Sequence, residues 1–124
     1  MSTATQALGE IGERIAERWL TRTGWRILNR RFRNGHRDID LVAEQNGTVA
    51  FVEVKARRDD RFGGPLEAVN WQKQIELSRS ARIWIDRHGR EGESYRFDVI
   101  GVIVAGEAVR VRHVADAFSL SARG

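Results

Sequence analysis

The stretch Arg37-Asp38-Ile39-Asp40-Leu41-Val42-Ala43, followed through Asn46-Gly47 by Val49-Ala50-Phe51-Val52-Glu53-Val54-Lys55, decides how this chain reads. Both arms are rich in β-branched and apolar residues, and Asn-Gly between such arms is a strong short-range sign of a β-hairpin with a two-residue turn. With Asn46 and Gly47 as the turn, Gln45 faces Thr48, Asp40 falls opposite Glu53, and Asp38 falls opposite Lys55. Alternation along each strand then puts these four charged side chains on one face. Opposed carboxylates repel across a ladder, so a fold that sets Asp40 against Glu53 needs a counter-charge. A divalent cation held by oxygen ligands is the simplest candidate; Lys55 helps, but one ammonium lacks a metal's charge density. The plain alternative is the solvated face of a half-buried sheet. Against it, Val49 and Phe51 share the face of Glu53 and Lys55, and Val42 shares that of Asp40, so the charged side is also apolar and needs a cover.

At 124 residues, 41% of them hydrophobic, one compact domain over residues 1–124 is expected, with a core adequate without staples. The absence of cysteine excludes disulfides, thiolate metal sites and cysteine nucleophiles, and fits a reducing compartment. No apolar run is long enough to span a membrane and the start does not resemble a signal peptide, so a cytoplasmic protein without membrane contact is expected. The net charge is +4, and its basic part is clumped: Arg14, Arg18, Arg22, Arg26, Arg30, Arg31, Arg33 and Arg37 stand against Glu17 alone. Such a patch suits a polyanion. Since Lys55 and Lys73 are the only lysines, arginine is also this chain's general-purpose cation, and any single member can be an ordinary solvated side chain.

Along the chain, Ser2 or Thr3 caps a helix to about Arg22, stopped by Gly24. Its apolar face is Leu8, Ile11, Ile15 and Trp19, with Glu10 and Glu17 opposite and Glu13 on the border between them. Trp25 to Phe32 reads as a strand, and Asn34-Gly35 turns it into the hairpin. His36, beside that turn, is left out of the site. After Lys55 a polar loop carries Arg57 and Arg58, which could touch a phosphate backbone, together with Asp59 and Asp60, which could simply neutralise them. Pro65 is expected to start a second helix, with Leu66, Val69, Leu77, Ala81 and Trp84 on one stripe and Lys73 inside it. A lysine there must snorkel, pair or serve a site. Trp71 and Ile75 point the other way, as an exposed pair that could meet a partner. Tyr95 to Val104 and Val109 to Val114 read as strands, and Ala115 to Gly124 as a tail anchored by Phe118; Asp98 reads as an internal hydrogen-bonding group.

Taken in order, Gly9-x-x-Gly12-Glu13-x-x-Ala16, Ile39-Asp40-Leu41-Val42-Ala43, Phe51-Val52-Glu53-Val54-Lys55-x-Arg57, Phe62-Gly63, Glu67-Ala68-Val69, Lys73 and Phe97-Asp98-Val99-Ile100 resemble the YraN-like bacterial proteins. Asp40 followed by Glu53-Val54-Lys55 is similar to the signature of the PD-(D/E)xK nuclease superfamily, and the resemblance to the YraN-like proteins implies a relation to archaeal Holliday-junction resolvases. The chain departs from the pattern twice: Ile39 stands where the superfamily has proline, and Arg37-Asp38 where a Gly-Glu pair is usual. The resemblance implies an α/β, restriction-endonuclease-like mixed β-sheet flanked by helices. It implies a metal-dependent endonuclease acting on DNA, branched or structured DNA included. Mg²⁺ or Mn²⁺ would be held by Asp40, Glu53 and the Val54 carbonyl, with Glu13 completing the cluster directly or through water. Lys55 would orient water or stabilise charge on the phosphorane, and Lys73 would lie near the carboxylates. Arg30, Arg31, Arg33, Arg37, Arg57, Arg58 and Lys73 form the expected nucleic-acid surface, and a homodimer is compatible with it. Two readings from another class stand beside this: a nucleic-acid binder that keeps the nuclease scaffold without cutting, and an interaction protein presenting Trp71 and Ile75.

Overall fold

The structure, a computed structural model, describes residues 3–59, 64, 67 and 69–120. Helix α1 (Ala4–Arg22) leads into strands β1 (Arg26–Phe32), β2 (Ile39–Gln45) and β3 (Thr48–Arg57); α2 (Trp71–His88) then precedes β4 (Ser94–Ala105) and β5 (Ala108–Phe118). The strands lie in the order β1-β2-β3-β4-β5. Only β3 and β4 run parallel, joined by the crossover that contains α2, so the sheet is mixed. This is the α/β arrangement expected from the sequence.

Local chemistry explains the boundaries. Thr3 caps α1 in a full capping box with Gln6, and Gly24, at φ 97°, turns the chain out of the helix. Asn46 and Gly47 both have positive φ, 51° and 81°, as a type I′ hairpin turn requires. The hairpin register follows from that turn, with Gln45 opposite Thr48 and Leu41 opposite Val52. For the second helix the expectation was wrong: α2 begins at Trp71, with the Asn70 side chain accepting from Lys73 N. Pro65, Leu66, Phe62, Gly63 and Ala68 lie outside the described residues. The expected tail after Val114 is instead the end of β5, where Phe118 stacks on Phe97 with centroids 4.4 Å apart.

Each face of the sheet has its own core. On one, Leu77, Ala81 and Trp84 of α2 cover Val42, Val49, Phe51, Phe97 and Val99; on the other, Ala16 and Leu20 of α1 cover Leu41, Ala43, Ala50, Val52, Ile100 and Val102. Alternation within β2 and β3 sends successive side chains to opposite helices. Gly12 lets α1 approach β3 closely, since a Cβ there would lie 2.6 Å from that of Ala56. Under α1, the fully buried Asp98 accepts from Arg96, from the Asp116 backbone and from His113 Nε2. His113 Nδ1 accepts from Trp19 Nε1, which leaves the imidazole proton on Nε2. Burial alone would raise the Asp98 pKa, but the bonds from His113, the Asp116 N–H and Arg96 outweigh it and hold the carboxyl below its ordinary value. Asp98 is thus a structural anchor.

Candidate metal centre and its surroundings

The β2–β3 ladder stops at Leu41–Val52, and beyond it the two strands part. There Asp40 Oδ2 accepts from the Val54 N–H at 2.8 Å, so a carboxylate takes a backbone donor at the point where the ladder ends. Glu53 lies beside it. Burial first, then a hydrogen bond and like charge from Glu53, push the Asp40 carboxyl up to about 9, the Val54 N–H pulls the other way, and Glu13 adds a weaker push. Near neutral pH Asp40 therefore keeps a proton, as expected for two carboxyls forced to share a site.

Lys73 reaches this pair from α2, with Nζ 3.3 Å from Glu53 Oε2 and side chains only 18% and 10% exposed. The approach is off any hydrogen-bonding direction, so Glu53 Oε2 is buried and ion-paired but carries no hydrogen bond. This oxygen is poised to accept a cation. Lys73 occupies the electrostatic role a metal would take, and removing it leaves Glu53 uncompensated. Lys73→Met is expected to lower stability at pH 7 by roughly 3 kcal/mol. It should also enlarge the rise in melting temperature produced by Mn²⁺, because no ammonium competes for Glu53. A Mn²⁺ response smaller than the parent's would show that Lys73 does not face the ligand position.

The pair opens into a cleft of about 580 Å³, whose other walls are His36, Arg37, Asp38, Glu76 and Arg79. The Ser80 hydroxyl, buried under the β1–β2 loop, donates to the Arg37 carbonyl and fastens that loop to α2. His36, set aside in the sequence, and Glu76 and Arg79, not considered there, all line this cleft. The sequence carried a signal for Glu76, three residues after Lys73 and so on the same side of the helix.

Several expected placements differ. Asp38 lies before β2 and pairs with Arg33 at 3.7 Å instead of extending the ladder to Lys55. Glu13 acts on Asp40 through charge, yet both its oxygens lie 3.4 Å from Arg31 Nη2. Among the described residues no three of His, Asp and Glu gather around one point, so Glu13 does not complete a three-acid cluster here. The basic patch is largely engaged: Arg30 pairs with Glu17, Arg31 with Glu13, Arg33 with Asp38, and Arg37 with Glu76. These are exposed pairs of small net strength, and phosphates could displace them. Trp71 is 59% exposed, but Ile75 is buried, so the proposed apolar pair on α2 does not exist as a surface.

Lys55 follows Glu53 on β3 and is half-buried. Burial, then the charges of Arg57 and Lys73, lower its pKa, while Glu53 and Asp40 oppose the shift. Lys55 and Arg57 line a second cavity of about 490 Å³. Arg58, exposed just after β3, is outside it.

Comparison with known proteins places these residues in a broad bacterial group. The family described as uncharacterised protein family UPF0102 matches residues 12–102. A UPF0102 protein of Alkaliphilus metalliredigens is 41% identical over 92% of this chain and 99% of its own length. One from Trichlorobacter lovleyi is 40% identical over 94% and 93%. Among solved structures, Pyrococcus furiosus SfsA in complex with Ca²⁺ aligns with 90% of this chain and 63% of its own at 16% identity and a TM-score of 0.38, too distant to bear on chemistry. No helix among the described residues is long and apolar enough to cross a membrane.

Proposed function

Because this chain belongs to the UPF0102 family, whose description names no activity, we propose its function from the site itself: a divalent-metal-dependent endonuclease that hydrolyses phosphodiester bonds in DNA, structured or branched DNA included. The observation that carries this reading is the Asp40–Glu53 pair, with a buried Glu53 oxygen that is ion-paired to Lys73 but carries no hydrogen bond, and an Asp40 carboxyl pushed up to about 9. Two carboxyls held together out of water destabilise a fold unless a proton or a cation neutralises them. The donor set fits Mg²⁺ or Mn²⁺: Asp40, Glu53 and the Val54 carbonyl would hold the ion, and such ions keep their other positions for water and phosphate oxygens. Bound there, the ion supplies Lewis acidity toward a phosphoryl oxygen and lowers the pKa of water.

This chain's own groups supply the remaining chemistry. The Val54 N–H fixes the Asp40 carboxylate so that it does not have to be ordered during the reaction. Lys55, beside the pair, offers an ammonium to phosphate oxygens as their negative charge grows. Cations around the cleft, Arg37 and Arg79 among them, attract the polyanion.

One observation favours a second reading, a nucleic-acid binder that keeps the scaffold without cutting: the third acid does not join the pair among the described residues. The deciding experiment incubates purified protein with linear, nicked and four-way-junction DNA in Mg²⁺, in Mn²⁺ and in chelator. Metal-dependent scission of any of them is the expected result. Binding to all of them with no scission under either metal would replace the nuclease reading with the binding one.

A further inference from the structure

Helix α2 meets the acidic site and the β1–β2 loop through one line of side chains. Lys73, Glu76 and Ser80 recur at i, i+3 and i+7 and so share a side of the helix. Lys73 holds Glu53 at 3.3 Å, and the Ser80 hydroxyl donates to the Arg37 carbonyl. Between them the Glu76 carboxylate takes the Arg37 guanidinium, with Nε and Nη2 at 2.6 and 2.5 Å from Oε1, while Oε2 accepts from Gln72 Nε2. The bonds from Arg37 and Gln72 first, then the charges of Arg37 and Arg79, hold the Glu76 carboxyl below its ordinary value. Arg79, exposed one turn on, adds charge without entering the pair. A carboxylate bracketed by two guanidinium groups therefore stands in the cleft of about 580 Å³ that Asp40 and Glu53 also line.

We propose that Arg37 and Arg79 form a subsite for a backbone phosphate of the DNA, and that Glu76 occupies it in the free protein and is displaced when DNA binds. The assignment rests on the nuclease reading of the cleft. A phosphodiester, like a carboxylate, offers one negative charge on two oxygens, and a guanidinium fork takes either in the same bidentate way. Two features set Arg37 apart from its paired neighbours. Arg30 and Arg31 are held by acids of α1, whereas the partner of Arg37 stands in the cleft with Asp40 and Glu53, where an entering phosphate meets it. The Arg37 carbonyl is also fastened by Ser80 and by Asn34 Nδ2, so the guanidinium can change partner while the loop stays in place. The Arg37–Glu76 side chains are 40% and 30% exposed, and a pair so placed is weak enough to exchange. A free phosphate ion gains little from the exchange, since it swaps one anion for another. A DNA chain already held by other contacts presents its phosphate at a high effective concentration and displaces Glu76. Glu76 thus favours a polymeric phosphate over a small one at the acidic site.

The test is a double-mutant cycle on binding, read in chelator by fluorescence anisotropy with a labelled four-way junction and a labelled blunt duplex. Glu76→Gln should bind each about fivefold more tightly than the parent, the size of one exposed ion pair. In an Arg37→Ala background the same change should gain no more than about twofold, because only the repulsion between Glu76 and DNA is then left to remove. A gain as large or larger without Arg37 would show that Glu76 merely repels DNA, and overturns the proposal, as does Glu76→Gln binding no better than the parent. Arg79→Ala, at an exposed helical position where truncation spares the fold, should lose about fivefold; parent-like affinity there also overturns the subsite, whether or not Arg37→Ala folds. Inorganic phosphate should compete with DNA for the parent no better than chloride at equal ionic strength, and strong competition would make the free ion the occupant instead. Scission is scored separately in Mg²⁺ and Mn²⁺. Intact scission with no gain in Glu76→Gln sinks the subsite alone, and an Arg37-dependent gain with no scission sinks the nuclease reading alone.

Discussion

Asp40→Asn should make the protein more stable at pH 8 and nearly remove the fall in its stability between pH 5 and pH 8. The sign follows from proton counting. The Asp40 carboxyl titrates at about 9 in the fold against 3.8 as a model group, because of burial first and then Glu53. Between those values the folded state holds a proton that the unfolded state has lost, so raising the pH favours unfolding. The limiting slope for one group is about 1.4 kcal/mol per pH unit. A loss of about 4 kcal/mol from pH 5 to pH 8 is expected, or roughly 15 °C in melting temperature for a chain of this size. Asp98 works in the opposite sense: its depressed pKa contributes stability above the ordinary carboxylate range and loses it in acid. The parent should therefore be most stable in mildly acidic buffer. Thermal melts in chelator from pH 4 to pH 9 measure this. Mn²⁺ at pH 8 should recover most of the loss in the parent and little in Asp40→Asn, since the variant lacks the ligand. A parent whose melting temperature rises steadily from pH 5 to pH 8 would show that Asp40 and Glu53 are not held together.

What could be read in advance depended on the range of the interaction that decides it. Asn46-Gly47 fixed the register of β2 against β3, because turn type is local and alternation carries it outward. Lys73 was conspicuous because a cation interrupts an apolar stripe, and a stripe of helical period is also local. The ion partners of Arg30, Arg31, Arg33 and Arg37 were not legible. Arg30 and Arg31 reach back to α1 and Arg37 across to α2, contacts set by how helices sit on the sheet. Arg31 itself stands at φ 47°, a kink that no propensity of arginine announces. Ile75 was misplaced because it is buried although it faces away from the Leu77, Ala81 and Trp84 stripe, and the helix's own period carries no sign of that.

The other large effect separates cutting from holding. Glu53→Gln should abolish scission, to at least a thousandfold below the parent on the scale of about 4 kcal/mol, while binding DNA as well as the parent or more tightly. The carboxylate's loss removes a ligand for the ion on which hydrolysis depends. It also removes a negative charge from a surface that meets a polyanion, which lowers repulsion. The fold should tolerate the change, because the amide is isosteric and relieves the crowding with Asp40. The variant does leave Lys73 without its partner at 3.3 Å, but that ammonium can then turn toward phosphate and strengthen binding further. The double change Arg30→Ala/Arg31→Ala should behave in the reverse way, weakening binding at low salt with scission at saturating DNA preserved, since neither arginine touches the acidic pair. Gel-resolved cleavage in Mg²⁺ and Mn²⁺ and anisotropy in chelator would be run on the same preparations. If Glu53→Gln cuts as fast as the parent, the activity comes from elsewhere on the chain or from a contaminant. If it loses binding together with scission, Glu53 supports the surface that holds DNA and the metal assignment fails.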